Sequence, residues 1–107
     1  MKRYGMVLRL KPGSLEEYKS LHATVWPAVL EMIRKCNITN YSIFHKDGWL
    51  FSYFEYMGND FDADMKKMAG DPETQRWWAV CSPLQEPLEI RKKGEWWAEM
   101  EEVFHTD

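Results

Sequence analysis

The chain has 107 residues, with 14 Lys and Arg against 17 Asp and Glu for a formal net charge of −3. Acids and bases are mixed along it without a basic stripe, which argues against a nucleic-acid surface, and no apolar run reaches membrane-spanning length, which predicts a cytoplasmic chain that acts away from membranes. The two cysteines, Cys36 and Cys81, stand apart and outside any CxxC pattern, so neither a disulfide framework nor a paired-cysteine metal or redox site is expected, and the length suits one domain over 1–107.

The first element alternates: Tyr4, Met6, Leu8 and Leu10 point one way and Arg3, Gly5, Val7 and Arg9 the other, the period of a strand. Lys11-Pro12-Gly13 ends it, and Ser14 followed by Glu17 has the spacing of a capping box, so a helix is expected from there to about Lys35. Pro27 falls inside that span and lacks the N–H that would bond the Ala23 carbonyl, which predicts a kink or restart. Residues 40 to 46 and 49 to 57 are β-branched and aromatic runs separated by Asp47-Gly48, the signature of a tight hairpin. Asn59 or Asp60 can cap a further helix carrying Phe61, Met65 and Met68; Gly70-Asp71-Pro72 breaks it, and Pro72 can open another through Trp77, Trp78 and Cys81. Residues 82 to 94 read as an irregular excursion, and the alternating stretch that follows, through about His105, as a closing strand.

The order β-α-β-β-α-β is that of a ferredoxin-like α+β fold, one antiparallel sheet with helices on one face. Tyr4, Trp49, Phe51, Tyr53 and Phe54 place aromatic residues on both faces of the strands. One helical layer covers only one face, so a homodimer that packs the other face against its twin is expected.

Candidate chemistry gathers in EEYKSLHATVWP, residues 16 to 27. Tyr18 and His22 are one turn apart on the face that Val25, Trp26, Val29 and Ile33 continue. A lone histidine on such a face is ordinarily a packing residue, but its unperturbed pKa also suits proton transfer near neutrality. Trp77 and Trp78 are core and rim residues by default; the functional alternative is an apolar platform for a sugar ring, with indole N–H groups for its hydroxyls. Tyr41 alternates with Ile43 and His45 on one strand face and would add a third polar tip, while Glu102 is a weaker candidate as an inward carboxylate. No HxH, HExxH or glycine-rich phosphate loop occurs, so no metal or nucleotide cofactor is expected.

These residues resemble the L-rhamnose mutarotase family. The resemblance is carried by R-x-x-x-V at 3 to 7, EEY-x-x-x-H-x-x-x-W-P at 16 to 27, N-Y-x-I at 40 to 43, Q-R-W-W at 75 to 78 and E-V-F at 102 to 104. It implies a dimeric α+β barrel that interconverts sugar anomers without a cofactor, with His22 as catalytic acid/base and Tyr18, Tyr41, Trp77 and Trp78 binding a small monosaccharide. On that basis His22 is expected to donate to the ring oxygen. Segment 79 to 94 departs from the family pattern, which leaves the sugar open among L-rhamnose, L-fucose or another pyranose. Two other readings share the architecture: a cofactor-free or haem-degrading monooxygenase, and a non-catalytic sugar-binding domain.

Overall fold

A computed structural model describes all 107 residues. Strand β1 (Lys2–Leu10) leads into two helices, α1 (Leu15–Ala23) and α2 (Pro27–Lys35), followed by the hairpin β2 (Ile38–Lys46) and β3 (Trp49–Tyr56). Helices α3 (Phe61–Ala69) and α4 (Pro72–Cys81) precede two short strands, β4 (Gln85–Glu86) and β5 (Ala98–Met100). The sheet runs β2-β3-β1, and β4 and β5 both pair antiparallel with the free edge of β1, at Arg9–Leu10 and at Gly5–Val7 respectively. The fourth strand is thus in two pieces, interrupted by residues 87 to 97. The ferredoxin-like α+β order expected from the sequence is present, with each helical segment divided at its proline.

Local chemistry explains the divisions. Trp26, before Pro27, has φ −59° and ψ 133°, the extended conformation a following proline favours. Its carbonyl accepts from the N–H groups of Val29 and Leu30 at 3.0 and 3.2 Å, so Pro27 stands at the first helical position, where its missing N–H costs nothing. The single helix expected to Lys35 is therefore two helices separated by residues 24 to 26. At the hairpin, Asp47 (φ 49°) and Gly48 (φ 82°) both adopt the left-handed conformations that a two-residue turn of this type requires.

Two local expectations are corrected. Ser14 makes no side-chain capping bond, because its own backbone is near-helical (φ −96°, ψ −5°) rather than extended. The closing strand ends at Met100 instead of continuing to about His105, and Val103 and Phe104 are exposed. By contrast Asp60 caps α3, accepting from the Ala63 N–H at 3.1 Å. Replacing Asp60 by Ala is expected to cost about 1 kcal/mol, and Ser14→Ala close to nothing; a pair of chemical denaturation curves checks the contrast.

The interior is divided into three buried clusters. Tyr4, Cys36, Ile38, Phe54, Tyr56 and Met68 join one end of the sheet to α2 and α3. Leu8, Leu10, Tyr18 and Leu50 join the other end to α1. Val29, Trp77 and Cys81 form a third between α2 and α4. Because the third cluster packs helix on helix, α2 and α4 leave a space between themselves and the sheet.

Candidate active site

That space is a cavity of about 1290 Å³, open to solvent along one side and lined by Tyr18, His22, Tyr41, Trp77, Trp78 and Gln85 among mainly apolar neighbours. The five residues singled out in the sequence therefore share one cavity, although they come from three different elements. Charged residues on its border, among them Lys19, Lys66 and Glu99, are exposed to solvent.

Each side chain arrives by an identifiable local device. Tyr18 and His22 lie one turn apart on α1, with ring centroids 4.2 Å apart in an edge-to-face arrangement. Trp77, on α4, meets the His22 ring at 5.2 Å and the Trp26 indole at 5.2 Å. Such edge-to-face contacts direct the positive rim of one ring at the face of another and hold the imidazole between two aromatic residues. Trp78, about 100° further round the helix, is 42% exposed where Trp77 is 7% exposed. The neighbouring indoles thus supply one buried wall and one edge.

Tyr41 depends on a defect in the sheet. Thr39 pairs with Glu55 and Ser42 with Tyr53, so Asn40 and Tyr41 together face Phe54. Asn40 carries the extra residue in a left-handed conformation (φ 48°), and its side-chain amide donates to Glu55 at 2.6 Å. Strict alternation would send Ile38 and Tyr41 to opposite faces. The bulge restores Tyr41, Ile43 and His45 to the side of Ile38, where they line the cavity.

Four titratable side chains of the cavity, His22, Tyr18, Tyr41 and Cys81, are shifted towards their neutral forms. Burial lowers the His22 pKa from its ordinary value, against the opposing effect of a hydrogen bond to the Tyr18 carbonyl. Burial raises the Tyr18 phenol, with Gln85 opposing and with Tyr41 and Cys81 adding smaller increments. Desolvation of its hydroxyl raises the Tyr41 phenol, although the residue as a whole is 41% exposed, and burial raises the Cys81 thiol to about 11. Neutral side chains around His22, with the charged residues kept to the border, suit an uncharged ligand.

The hydrogen positions follow from the partners. His22 Nδ1 lies 2.8 Å from the backbone carbonyl oxygen of Tyr18. A carbonyl only accepts, so Nδ1 carries the hydrogen, and in the neutral imidazole Nε2 carries the lone pair. Two groups escaped the sequence reading. Gln85, 7% exposed, donates from Nε2 to the Tyr18 hydroxyl at 3.0 Å, and the Trp96 indole donates to Gln85 Oε1 at 2.8 Å. Nothing in the local pattern of SPLQEP marks Gln85, which meets Tyr18 only because β4 pairs with the end of β1. Glu102 is placed elsewhere: it pairs with Arg3 Nε at 2.9 Å on the outer side of the sheet. The expected inward carboxylate is therefore absent at that position, because Arg3 belongs to the outward set of β1.

Helices laid over one face of a curled antiparallel sheet, with a neutral, aromatic-lined cavity between the layers, define the ferredoxin-like half-barrel class of α+β proteins. Over the full chain, the fold matches the crystal structure of an L-rhamnose mutarotase from Formosa agariphila, all of which is covered (TM-score 0.80, 20% identity). It also matches tetracenomycin F2 cyclase from Streptomyces glaucescens, a type-II polyketide cyclase, over 100% of this chain and 98% of that one (TM-score 0.76, 15% identity). The sequence narrows the class. The L-rhamnose mutarotase family model matches residues 3–106, and the chain belongs to that family. The L-rhamnose mutarotases of Lactiplantibacillus plantarum and Bacillus subtilis are 32% and 30% identical to it, over 100% of both chains in each comparison.

Proposed function

We propose that the protein interconverts the α and β anomers of L-rhamnose, or of a closely similar 6-deoxy pyranose, with His22 as its base and a cavity tyrosine as its acid. The observation that carries this reading is the pairing, in one uncharged cavity, of an imidazole whose Nδ1–H is already spent on a carbonyl with a buried, neutral phenol one turn away.

Mutarotation moves one proton off the anomeric hydroxyl and one onto the ring oxygen. His22 Nε2 takes the anomeric proton as the bond from C1 to the ring oxygen breaks, and the Tyr18 hydroxyl delivers its proton to that oxygen. The open aldehyde turns about its C1–C2 bond and recloses on the other face. On closure the ring oxygen returns its proton to Tyr18 and the imidazolium returns its proton to the anomeric oxygen, so both residues end as they began. Tyr41 holds a hydroxyl across the cavity, and Trp77 and Trp78 receive the apolar face and the 6-methyl group. The role differs from the donation expected of His22 because burial favours the unprotonated ring, whose remaining nitrogen accepts.

Magnetisation exchange between the anomer signals of L-rhamnose, with and without the protein, tests the activity; no acceleration would remove it. The pH dependence tests the assignment. A base with a depressed pKa keeps its active form through neutral pH, so the rate is expected to be level there and to fall only below about pH 6.5. A rate that climbs on acidification would instead make His22 the donor.

No helix is long and apolar enough to cross a membrane, and the reading is of a cytoplasmic enzyme of sugar metabolism. Its outer sheet face leaves Phe44 and Phe51 64% and 38% exposed, side by side in register on β2 and β3. This apolar surface supports a homodimer formed face to face. Phe51→Asp is expected to yield monomers in sedimentation velocity where the unaltered protein sediments as a dimer.

A further inference from the structure

We propose that Gln85 is a positioning residue that sets the direction of proton donation by Tyr18 and, through Trp96, makes that direction depend on the segment 87 to 97 crossing the edge of the cavity. The inference rests on the functional reading above and assigns a role to a residue outside the expected sugar-binding set.

A chain of donors links Trp96, Gln85 and Tyr18. An indole nitrogen donates and does not accept. Trp96 Nε1 lies 2.8 Å from one end of the Gln85 amide, so that end is the oxygen. The other end is then the NH₂ group, which only donates, and it lies 3.0 Å from the Tyr18 hydroxyl. Tyr18 therefore accepts at this contact. Its own hydrogen has no acceptor within the protein, because this is the one hydrogen bond its hydroxyl makes. A buried hydroxyl hydrogen left unspent is available to an oxygen of the ligand.

The backbone holds Gln85 for this task. It pairs with Leu10 at the end of β1, and the adjacent Leu84 carbonyl accepts from the Lys11 N–H at 2.8 Å. Turning the amide over would set its NH₂ against the Trp96 N–H, donor against donor, and would leave Tyr18 giving its hydrogen to the amide oxygen instead of to the ligand. Trp96 thus acts as the lock on the orientation. It is itself carried by the segment between β4 and β5, so the lock ties the path of that segment to the reacting group.

Gln85→Glu tests the proposal because a carboxylate has no hydrogen to give. While ionised it accepts from both Trp96 and Tyr18, drawing the Tyr18 hydrogen away from the ligand. Once protonated it donates to Tyr18 and accepts from Trp96, as the amide does. The expected result is an exchange rate for L-rhamnose anomers roughly 10- to 100-fold below the unaltered protein at pH 8, with the ratio of the two rates recovering as pH falls through the titration of the new carboxyl. Loss of the His22 base on acidification affects both proteins and cancels in the ratio. Gln85→Leu is expected to be slow at every pH, with no recovery. A pH-independent ratio for Gln85→Glu, or an unimpaired Gln85→Leu, would overturn the proposal. A second measurement stands apart from activity and from the folding of those variants: the Gln85 side-chain NH₂ resonances are expected to move upfield in Tyr18→Phe. Unmoved resonances would dispose of the hydrogen bond itself. Should the unaltered protein fail to accelerate the exchange, the functional reading falls, and the amide resonances alone then judge the Gln85 to Tyr18 direction.

Discussion

Replacing His22 by Asn is expected to remove most of the catalysed anomer exchange, by roughly 10²–10⁴-fold, the range that a positioned acid or base contributes. The loss should appear in kcat rather than in KM if, as proposed, His22 acts on the proton in flight and the indoles and Tyr41 do the holding. His22 is only partly buried, so an asparagine in its place leaves the helix and the Trp26–Trp77 contact intact. Circular dichroism and a melting curve close to those of the unaltered protein are therefore expected alongside the lost rate. Near-normal exchange in His22→Asn would strip the residue of its role and move the base to another group. The comparison with Tyr18→Phe is informative, because that change keeps the ring edge beside His22 and removes only the hydroxyl. Both single variants should be slow, and the double variant little slower than the worse of them, if the two residues serve one proton exchange.

Trp77→Ala is expected to destabilise the protein by about 3–5 kcal/mol, the usual cost of deleting a large buried aromatic side chain. Trp77 is 7% exposed and packs with Val29 and Cys81 in the cluster that joins α2 to α4, and it also touches the rings of His22 and Trp26. Its removal would enlarge an existing cavity rather than allow collapse, since the sheet stands away on the other side. Against a total stability of ~5–15 kcal/mol for a domain, the loss is large, and the urea midpoint should fall accordingly. Trp77→Phe separates folding from binding: it should recover much of the stability while raising KM for the sugar, because the smaller ring covers less of the sugar's apolar face. A Trp77→Ala protein as stable as the unaltered one would mean that the α2–α4 contact is held by other residues.

Much of this molecule is legible along the chain because it depends on spacing alone. The alternation of Tyr4, Met6, Leu8 and Leu10, the left-handed pair Asp47-Gly48, and the prolines that open α2 and α4 act over a few residues, through sterics and hydrogen-bonding groups that each residue carries with it. The one-turn relation of Tyr18 and His22 belongs to the same class, and so does the neighbouring pair Trp77 and Trp78 with one indole in and one at the rim. The motifs that resemble the family likewise survive in the order of the residues, and the family they point to is the one whose model matches the chain.

Other features required the folded chain. Tyr41 reaches the cavity because one extra residue, Asn40, reverses the parity of β2, and a bulge is a matter of which residue opposes which on another strand. Glu102 faces Arg3 outside the cavity because the end of the chain runs beside the first strand and leaves strand geometry after Met100. Gln85 meets Tyr18 across 67 positions of sequence. In the proposal above, the direction in which the Tyr18 hydroxyl donates is set by that contact and by Trp96 beyond it. Periodicity determines which face a side chain occupies, because the backbone repeats locally; what that side chain meets there depends on the path of distant segments, and only the tertiary structure brings donor to acceptor.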